Sequence, residues 1–137
     1  MTPPQTPAPA IARITWARDF PGTADQVGRA RRFLAGLLDD CPAAGDAALC
    51  LSELAANAVL HSRSGRPGGR FAVRVARAGG LLQVGVTDEG GPWAARPGGD
   101  RNGRGLVIVR SIAGAVRIGD PGIDSPARTV TFEMRLG

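Results

Sequence analysis

Hydrophobic residues recur along this chain with two periods. Apolar side chains three or four positions apart predict three helices, over residues 23–38, 44–61 and 105–113. Alternation of apolar and polar residues predicts five strands, over residues 13–20, 71–78, 81–88, 116–120 and 128–136. This order of elements predicts an α+β fold, a two-layer sandwich with three helices on one face of a mostly antiparallel sheet.

The connections add detail to this pattern. Thr23 follows a Pro-Gly turn and is the expected N-cap of the first helix. Residues 62–69 are predicted to form a loop, and Gly79-Gly80 a hairpin link between two strands. Residues 89–104 are rich in glycine and have no period, so they are expected to form a long mobile loop. Loops of that length in compact domains are usually functional.

Length and composition are those of a single globular domain. The chain has 137 residues, 43% of them hydrophobic and 21% charged. No apolar run approaches the roughly 20 residues that a membrane span needs, and the N-terminus lacks the layout of a secretion signal. A cytoplasmic location is therefore expected. Residues 1–12 are rich in proline and carry no charge, so we expect a disordered tail before a domain at 13–137.

The net charge is +5, and all basic residues are arginines spread along the chain. Such charge attracts acidic partners or nucleic acid. A DNA-binding role is disfavoured, because the second of two consecutive helices carries Glu53 and has no arginine to meet phosphates. Cys41 and Cys50 accompany a single histidine, so a zinc site is not expected.

The helix at 44–61 carries a row of polar residues. Glu53, Asn57 and His61 are four residues apart and therefore share one helix face. The other side holds leucines and alanines, as in a helix that lies on a core. By itself this row fits either a solvated face or the wall of a binding site.

Asp88 stands where the third strand ends and glycines begin. A carboxylate at the rim of a sheet can accept a hydrogen bond from the amino group of a ligand. Gly90 and Gly91 leave the backbone bare, so a flat ring can approach closely. The same pattern is also common in plain turns.

A second glycine cluster, Asn102-Gly103-Arg104-Gly105-Leu106, leads into the third predicted helix. Backbone N–H groups at a helix start are unpaired and suit phosphate oxygens, and Arg101 and Arg104 add positive charge. The cluster is not a P-loop, because the chain has no lysine. It is not a dinucleotide fingerprint either, because Ile108 stands where the third glycine would be.

Together these motifs resemble the N, G1 and G2 boxes of the gyrase-like, or Bergerat-fold, ATPase superfamily. The boxes correspond to Glu53-x-x-x-Asn57, Asp88-x-Gly90 and Gly103-x-Gly105-Leu106. Within that superfamily, the stretches SELAANAVLH and NGRGLVIVRSIA are most similar to the small anti-sigma-factor serine kinases. The resemblance extends over residues 13–136 and implies the Bergerat ATP-binding fold, with ATP and Mg²⁺ as ligands.

The resemblance also implies roles for individual residues. Asn57 matches the amide that ligates Mg²⁺, and Glu53 matches the carboxylate proposed as general base. Asp88 matches the acid that binds the adenine amino group, and Gly90 lies beside the ring. His61 matches a common residue after the N box, for which we expect structural support.

The remaining roles lie in the second half of the chain. Arg101 and the residues from Gly103 to Leu106 match the phosphate-binding box at the end of a lid, and Thr129 matches a threonine that assists adenine recognition. Two positions depart from the family pattern. Pro92 replaces the second glycine of the G1 box, and Ala127-Arg128 replaces a Gly-x pair before Thr129.

The function implied is that of an ATP-dependent protein serine kinase of the anti-sigma-factor type. Such a protein binds a sigma factor and transfers the γ-phosphate of ATP to a serine of an antagonist protein. Direct binding to nucleic acid or membrane is not expected, and a homodimer is allowed because the kinase relatives are commonly dimers. A sensor histidine kinase is disfavoured, since the chain has no helical dimerisation domain. An ATP-binding interaction module without phosphoryl transfer is the alternative left open.

Overall fold

A computed structural model describes residues 13–91, 100–119 and 127–136, and of residues 100–105 only the backbone. The predicted tail at 1–12, Asp120 and the middle of the predicted 89–104 loop lie outside this range. The strands are β1 (Arg13–Pro21), β2 (Arg70–Ala78), β3 (Leu81–Asp88), β4 (Ala115–Gly119) and β5 (Arg128–Arg135). The helices are α1 (Ala24–Leu37), α2 (Ala44–His61) and α3 (Asp100–Ile112), with a 3-10 turn at Arg63–Gly65.

The five strands form one antiparallel sheet in the order β1-β2-β3-β5-β4. Alternate residues of the central strands are buried and form the floor of the core. Val75 pairs with Val84, and Val84 with Phe132, so these three side chains form a row across the sheet. All three are almost completely buried, as expected for the face on which helices pack.

The helices cover that face alone, which confirms the predicted two-layer α+β fold. Leu34 of α1, Leu51 and Leu54 of α2 and Val109 of α3 belong to one cluster with the buried strand residues. The alternate strand positions, such as Arg74, Gln83 and Thr131, are only partly covered. No helix in the described part of the chain has the length and hydropathy to cross a bilayer.

The first helix starts as expected but without a side-chain cap bond, and the third starts earlier than expected. Thr23 is the N-cap residue of α1, but its hydroxyl bonds to the side chain of Asp25 and does not cap the backbone. The third helix starts at Asp100, whereas the sequence predicts a loop through residue 104. Glycine and asparagine have low helix propensity, which explains the prediction. Packing of Leu106, Val109 and Ile112 on the core stabilises the longer helix.

Candidate functional site

Asn57 is a buried polar residue among the apolar residues of α2 that pack on the core. Its side chain is 7% exposed, and its Nδ2 has no hydrogen-bond partner among the described residues. Leu54, Ala55 and Ala58 around it on α2 are all buried. An unpaired buried donor costs about 1–3 kcal/mol, so Asn57 is a candidate for contact with a ligand. Glu53, one turn earlier, is half-buried.

Asp88 ends β3 on the face that the helices cover. It is 5% exposed, and its Oδ1 accepts a hydrogen bond of 2.6 Å from the N–H of Gly90. Gly90 and Gly91 have φ angles of +76° and +104°, a region that L side chains rarely adopt. The glycines therefore turn the chain sharply, which holds the carboxylate of Asp88 at the rim of the sheet.

The segment after α2 is bonded directly to this turn. The N–H of Arg63 donates to the carbonyl of Gly90 at 2.8 Å, and the N–H of Glu89 donates to Oγ of Ser64 at 2.9 Å. Asn57 lies four residues before the end of α2, about 6 Å along the helix axis. These bonds therefore fix the polar row of α2 and the Asp88 turn at the same end of the molecule.

Ser64 is a residue of this site that the sequence reasoning missed. It is fully buried inside the segment predicted as a loop, and the N–H of Ser64 donates to Oγ of Ser62 at 3.0 Å. A Cβ at Gly22 or Gly69 would lie 1.6 or 2.2 Å from the carbonyl oxygen of Ser64, so neither position has room for a side chain. A Ser-x-Ser pair after a helix was the available sequence signal, because serines there often bond to the local backbone.

Thr129 and Asp88 lie on opposite faces of the sheet. Thr129 pairs with Thr87, and their hydroxyl oxygens share a hydrogen bond of 2.8 Å on the face away from the helices. The cross-strand neighbour of Asp88 is Arg128, which is half-buried and donates from Nη2 to the carbonyl of Gly91 at 3.3 Å. The structure therefore places Arg128, and not Thr129, beside Asp88, because successive strand residues point to opposite faces.

The glycines of the G2 box lie inside α3 rather than before it. Gly103 and Gly105 follow a helix start at Asp100, so the unpaired N–H groups of the helix belong to its first turn. Leu106 is half-buried and packs on the core. The side chains of Arg101 and Arg104 lie outside the described part, and the role of this box in phosphate binding stays a prediction.

The thiol of Cys50 lies near the polar row of α2 and is poorly suited to be a nucleophile. Burial raises its pKa to about 11, and the carboxylates of Asp46 and Glu53 add to the rise. No group of three or more His, Cys, Asp or Glu residues in the described regions is suited to hold a metal ion. Mg²⁺ bound to a nucleotide needs only one or two protein oxygens, because phosphates and waters complete its shell.

A comparison with curated proteins gives no significant match. Residues 20–131 match the family model for a histidine kinase-like ATPase domain. That span includes both ends of the site, from Glu53 and Asn57 on α2 to Asp88 and Arg128 on the sheet. The family match and the three-helix, five-strand antiparallel sandwich agree with a gyrase-like, Bergerat-type ATPase fold. The chain therefore belongs to the histidine kinase-like ATPase domain family and is an ATP-binding protein.

Proposed function

We propose that this ATP-binding protein is a regulatory serine kinase of the anti-sigma-factor type. It binds a sigma factor and transfers the γ-phosphate of ATP to a serine of an antagonist protein. The observation that carries the proposal is the buried amide of Asn57, one helical turn from Glu53, whose Nδ2 has no hydrogen-bond partner among the described residues. The segment that follows this helix is bonded through the N–H of Arg63 to the turn that holds Asp88.

The adenine end of the site is assigned to the Asp88 turn. The carboxylate of Asp88 accepts a hydrogen bond from the exocyclic amine of adenine, whereas guanine presents a carbonyl oxygen at that position. Gly90 and Gly91 have no side chains, so the ring can lie against the backbone. The guanidinium of Arg128 supports this wall through its bond to the carbonyl of Gly91.

The phosphate end of the site is assigned to α2. The side-chain oxygen of Asn57 fits Mg²⁺, which prefers oxygen ligands. Bound Mg²⁺ neutralises charge on the phosphate oxygens. Glu53 lies one turn away and is partly accessible, so its carboxylate can take the proton of a serine hydroxyl. The serine oxygen forms a bond to the γ-phosphorus, the bond to the β–γ bridging oxygen breaks, and ADP leaves.

Docking of the antagonist is assigned to the basic segment after α2. Arg63, Arg66 and Arg70 are exposed, and the backbone of Arg63 is bonded to Gly90 at the edge of the site. A positive rim beside the nucleotide steers an acidic partner toward it and raises the association rate. The acceptor serine is therefore expected beside acidic residues of the antagonist.

Calorimetric titration with ATP and GTP, with and without Mg²⁺, tests the nucleotide site. ATP is expected to bind more tightly than GTP, and Asp88→Asn should weaken ATP binding about ten- to a hundredfold, because a charged hydrogen-bond partner is lost. Thr129→Val is the matched control on the adjacent strand. Its ATP affinity should stay within about twofold of the parent, since Thr129 lies on the other face of the sheet. Equal affinities for ATP and GTP would refute the role of Asp88.

Incubation with Mg²⁺, labelled ATP and small candidate antagonist proteins tests the kinase reaction. Glu53→Gln should stop labelling and leave ATP affinity nearly unchanged, because the base acts on the acceptor. Reversing Arg63 and Arg66 to Glu should slow labelling and reduce its dependence on salt, whereas Arg31→Glu on the exposed side of α1 should not. A stable antagonist complex that binds ATP but is never labelled would reject the kinase and leave an ATP-dependent interaction module.

A further inference from the structure

The outer face of the sheet, opposite the helices, contains a hollow of about 540 Å³. No described helix or strand covers it. Small residues, Ala17, Ala76 and Gly85, occupy outward positions on three neighbouring strands. They leave space above the sheet, which forms the hollow. Ligand cavities for small molecules are typically about 300–1,000 Å³, so this hollow has the volume of a ligand site.

Two arginines, on β2 and β4, line the hollow. One row of paired residues crosses four strands. It consists of Arg74 on β2, Gly85 on β3, Thr131 on β5 and Arg117 on β4. These four residues form one row, so the two arginine backbones are three strand spacings apart, about 14 Å. Between them lie a glycine without a side chain and a threonine hydroxyl.

The hollow is lined by hydroxyl groups and positive charge. Thr87 and Thr129 share a hydrogen bond beside this row, so further hydroxyls lie on the same floor. Arg117 contacts Glu133 at 3.0 Å, which offsets part of its charge. Arg74 is exposed, and its side chain makes no hydrogen bond or ion pair with any residue of the described part of the chain. Its guanidinium is therefore available to a ligand.

We propose that this hollow is a second ligand site, which binds a small organic phosphate. Guanidinium groups present paired N–H donors that match phosphate oxygens, and threonine hydroxyls add further donors. The phosphate lies between Arg74 and Arg117, beside the hydroxyl of Thr131. The rest of the hollow, lined by Ala17, Ala76 and the backbone around them, is too large for a bare phosphate ion and accepts an organic group.

The charge of this face argues against a second copy of the chain as its occupant. Pairing two such faces would bring arginines of one copy near arginines of the other, and such like-charge contacts disfavour an interface. The hollow is also separate from the nucleotide site. Thr87 and Thr129 lie on its floor, whereas Asp88 and Arg128, the next residues along the same strands, point to the helix side.

The test uses the whole chain and three probes, inorganic phosphate, glucose 6-phosphate and glucose. Binding is measured by calorimetry and by amide chemical shifts in NMR spectra. Glucose 6-phosphate is expected to bind more tightly than inorganic phosphate, and glucose not at all. The shifts should centre on Gly85 and Thr131. Arg74→Gln and Arg117→Gln should each weaken binding about ten- to a hundredfold, since each removes a charged donor. Arg31→Gln on α1 is the charge-matched control and should bind like the parent.

Four outcomes would overturn the proposal. One is the absence of saturable binding of either phosphate probe at 10 mM or below (about −3 kcal/mol). Another is an equal loss of affinity in Arg31→Gln and Arg74→Gln, which would show unspecific attraction to net charge. The third is shifts confined to Asn57 and Gly90, which would place the phosphate in the nucleotide site. A parent dimer in sedimentation that dissociates on Arg74→Glu would instead assign this face to self-association.

Discussion

Replacing Asn57 by leucine should separate the stability of the protein from its function. Leucine has a similar branched shape but no polar atoms, so it removes the buried Nδ2 that has no hydrogen-bond partner among the described residues. An unpaired buried group costs about 1–3 kcal/mol. We therefore expect Asn57→Leu to raise the free energy of unfolding without nucleotide by about 1–2 kcal/mol. That gain corresponds to an increase in Tm of roughly 3–8 °C for a chain of this size.

The same substitution should remove the advantage that ATP gives to the parent protein. At a free ATP concentration of 100 times Kd, ligand binding stabilises the native state by about 2.7 kcal/mol. The Asn57→Leu variant lacks the side-chain oxygen proposed to bind Mg²⁺, so ATP should stabilise it only a little. The order of stability should therefore reverse, with the variant more stable without ATP and the parent more stable with Mg²⁺ and ATP.

Urea unfolding followed by circular dichroism, with and without Mg²⁺ and ATP, measures both effects. Asn57→Asp is the control that keeps an oxygen ligand. It should lose stability without ligand, because it buries a charge, and recover it when Mg²⁺ and ATP are added. An Asn57→Leu variant that is destabilised by more than about 1 kcal/mol and binds ATP like the parent would refute the reasoning. Asn57 would then be a structural residue of the core.

Three other outcomes are expected. Gly91→Ala should lower the free energy of unfolding by about 1–2 kcal/mol, because φ is +104° and a Cβ would lie 3.1 Å from a neighbouring side chain. The control Gly36→Ala, in an open helical position, should raise the free energy of unfolding by up to about 1 kcal/mol. Equal effects of the two substitutions in urea unfolding would contradict this. Ser64→Ala should lower the free energy of unfolding by about 1–3 kcal/mol in the same assay, since it leaves the backbone N–H of Glu89 unpaired. The control Ser111→Ala, at an exposed serine, should have little effect. A Ser64→Ala variant as stable as the parent would show that water replaces the hydroxyl. The pKa of Cys50 is about 11 in the folded protein, above its ordinary value of 9.0, so the unfolded state loses this proton first and stability should fall between pH 9 and 11. The chain has no lysine or tyrosine to titrate in this window, but burial also raises the pKa of the Cys41 thiol. Cys50→Ala should therefore flatten part of that fall in pH-dependent unfolding, and an unchanged slope would assign the fall to Cys41.

The sequence by itself determined the elements and the fold class. The hydrophobic periods of 3.6 residues in helices and 2 residues in strands predicted the bounds of α2 and β3 that the structure has. They could do so because burial of one face dictates where apolar residues recur. The motifs at Asn57, Asp88 and Gly103 identified the family, and the match over residues 20–131 confirmed it. These features are local, so spacing along the chain is sufficient to read them.

The tertiary structure alone decided which residues meet. Strand register placed Arg128 beside Asp88 and turned Thr129 to the outer face, because a shift of one residue exchanges the faces of a strand. Packing on the core extended α3 over glycines of low helix propensity. Ser64 joined the site through bonds between segments 25 residues apart. Each of these depends on contacts between distant parts of the chain, which no local period encodes.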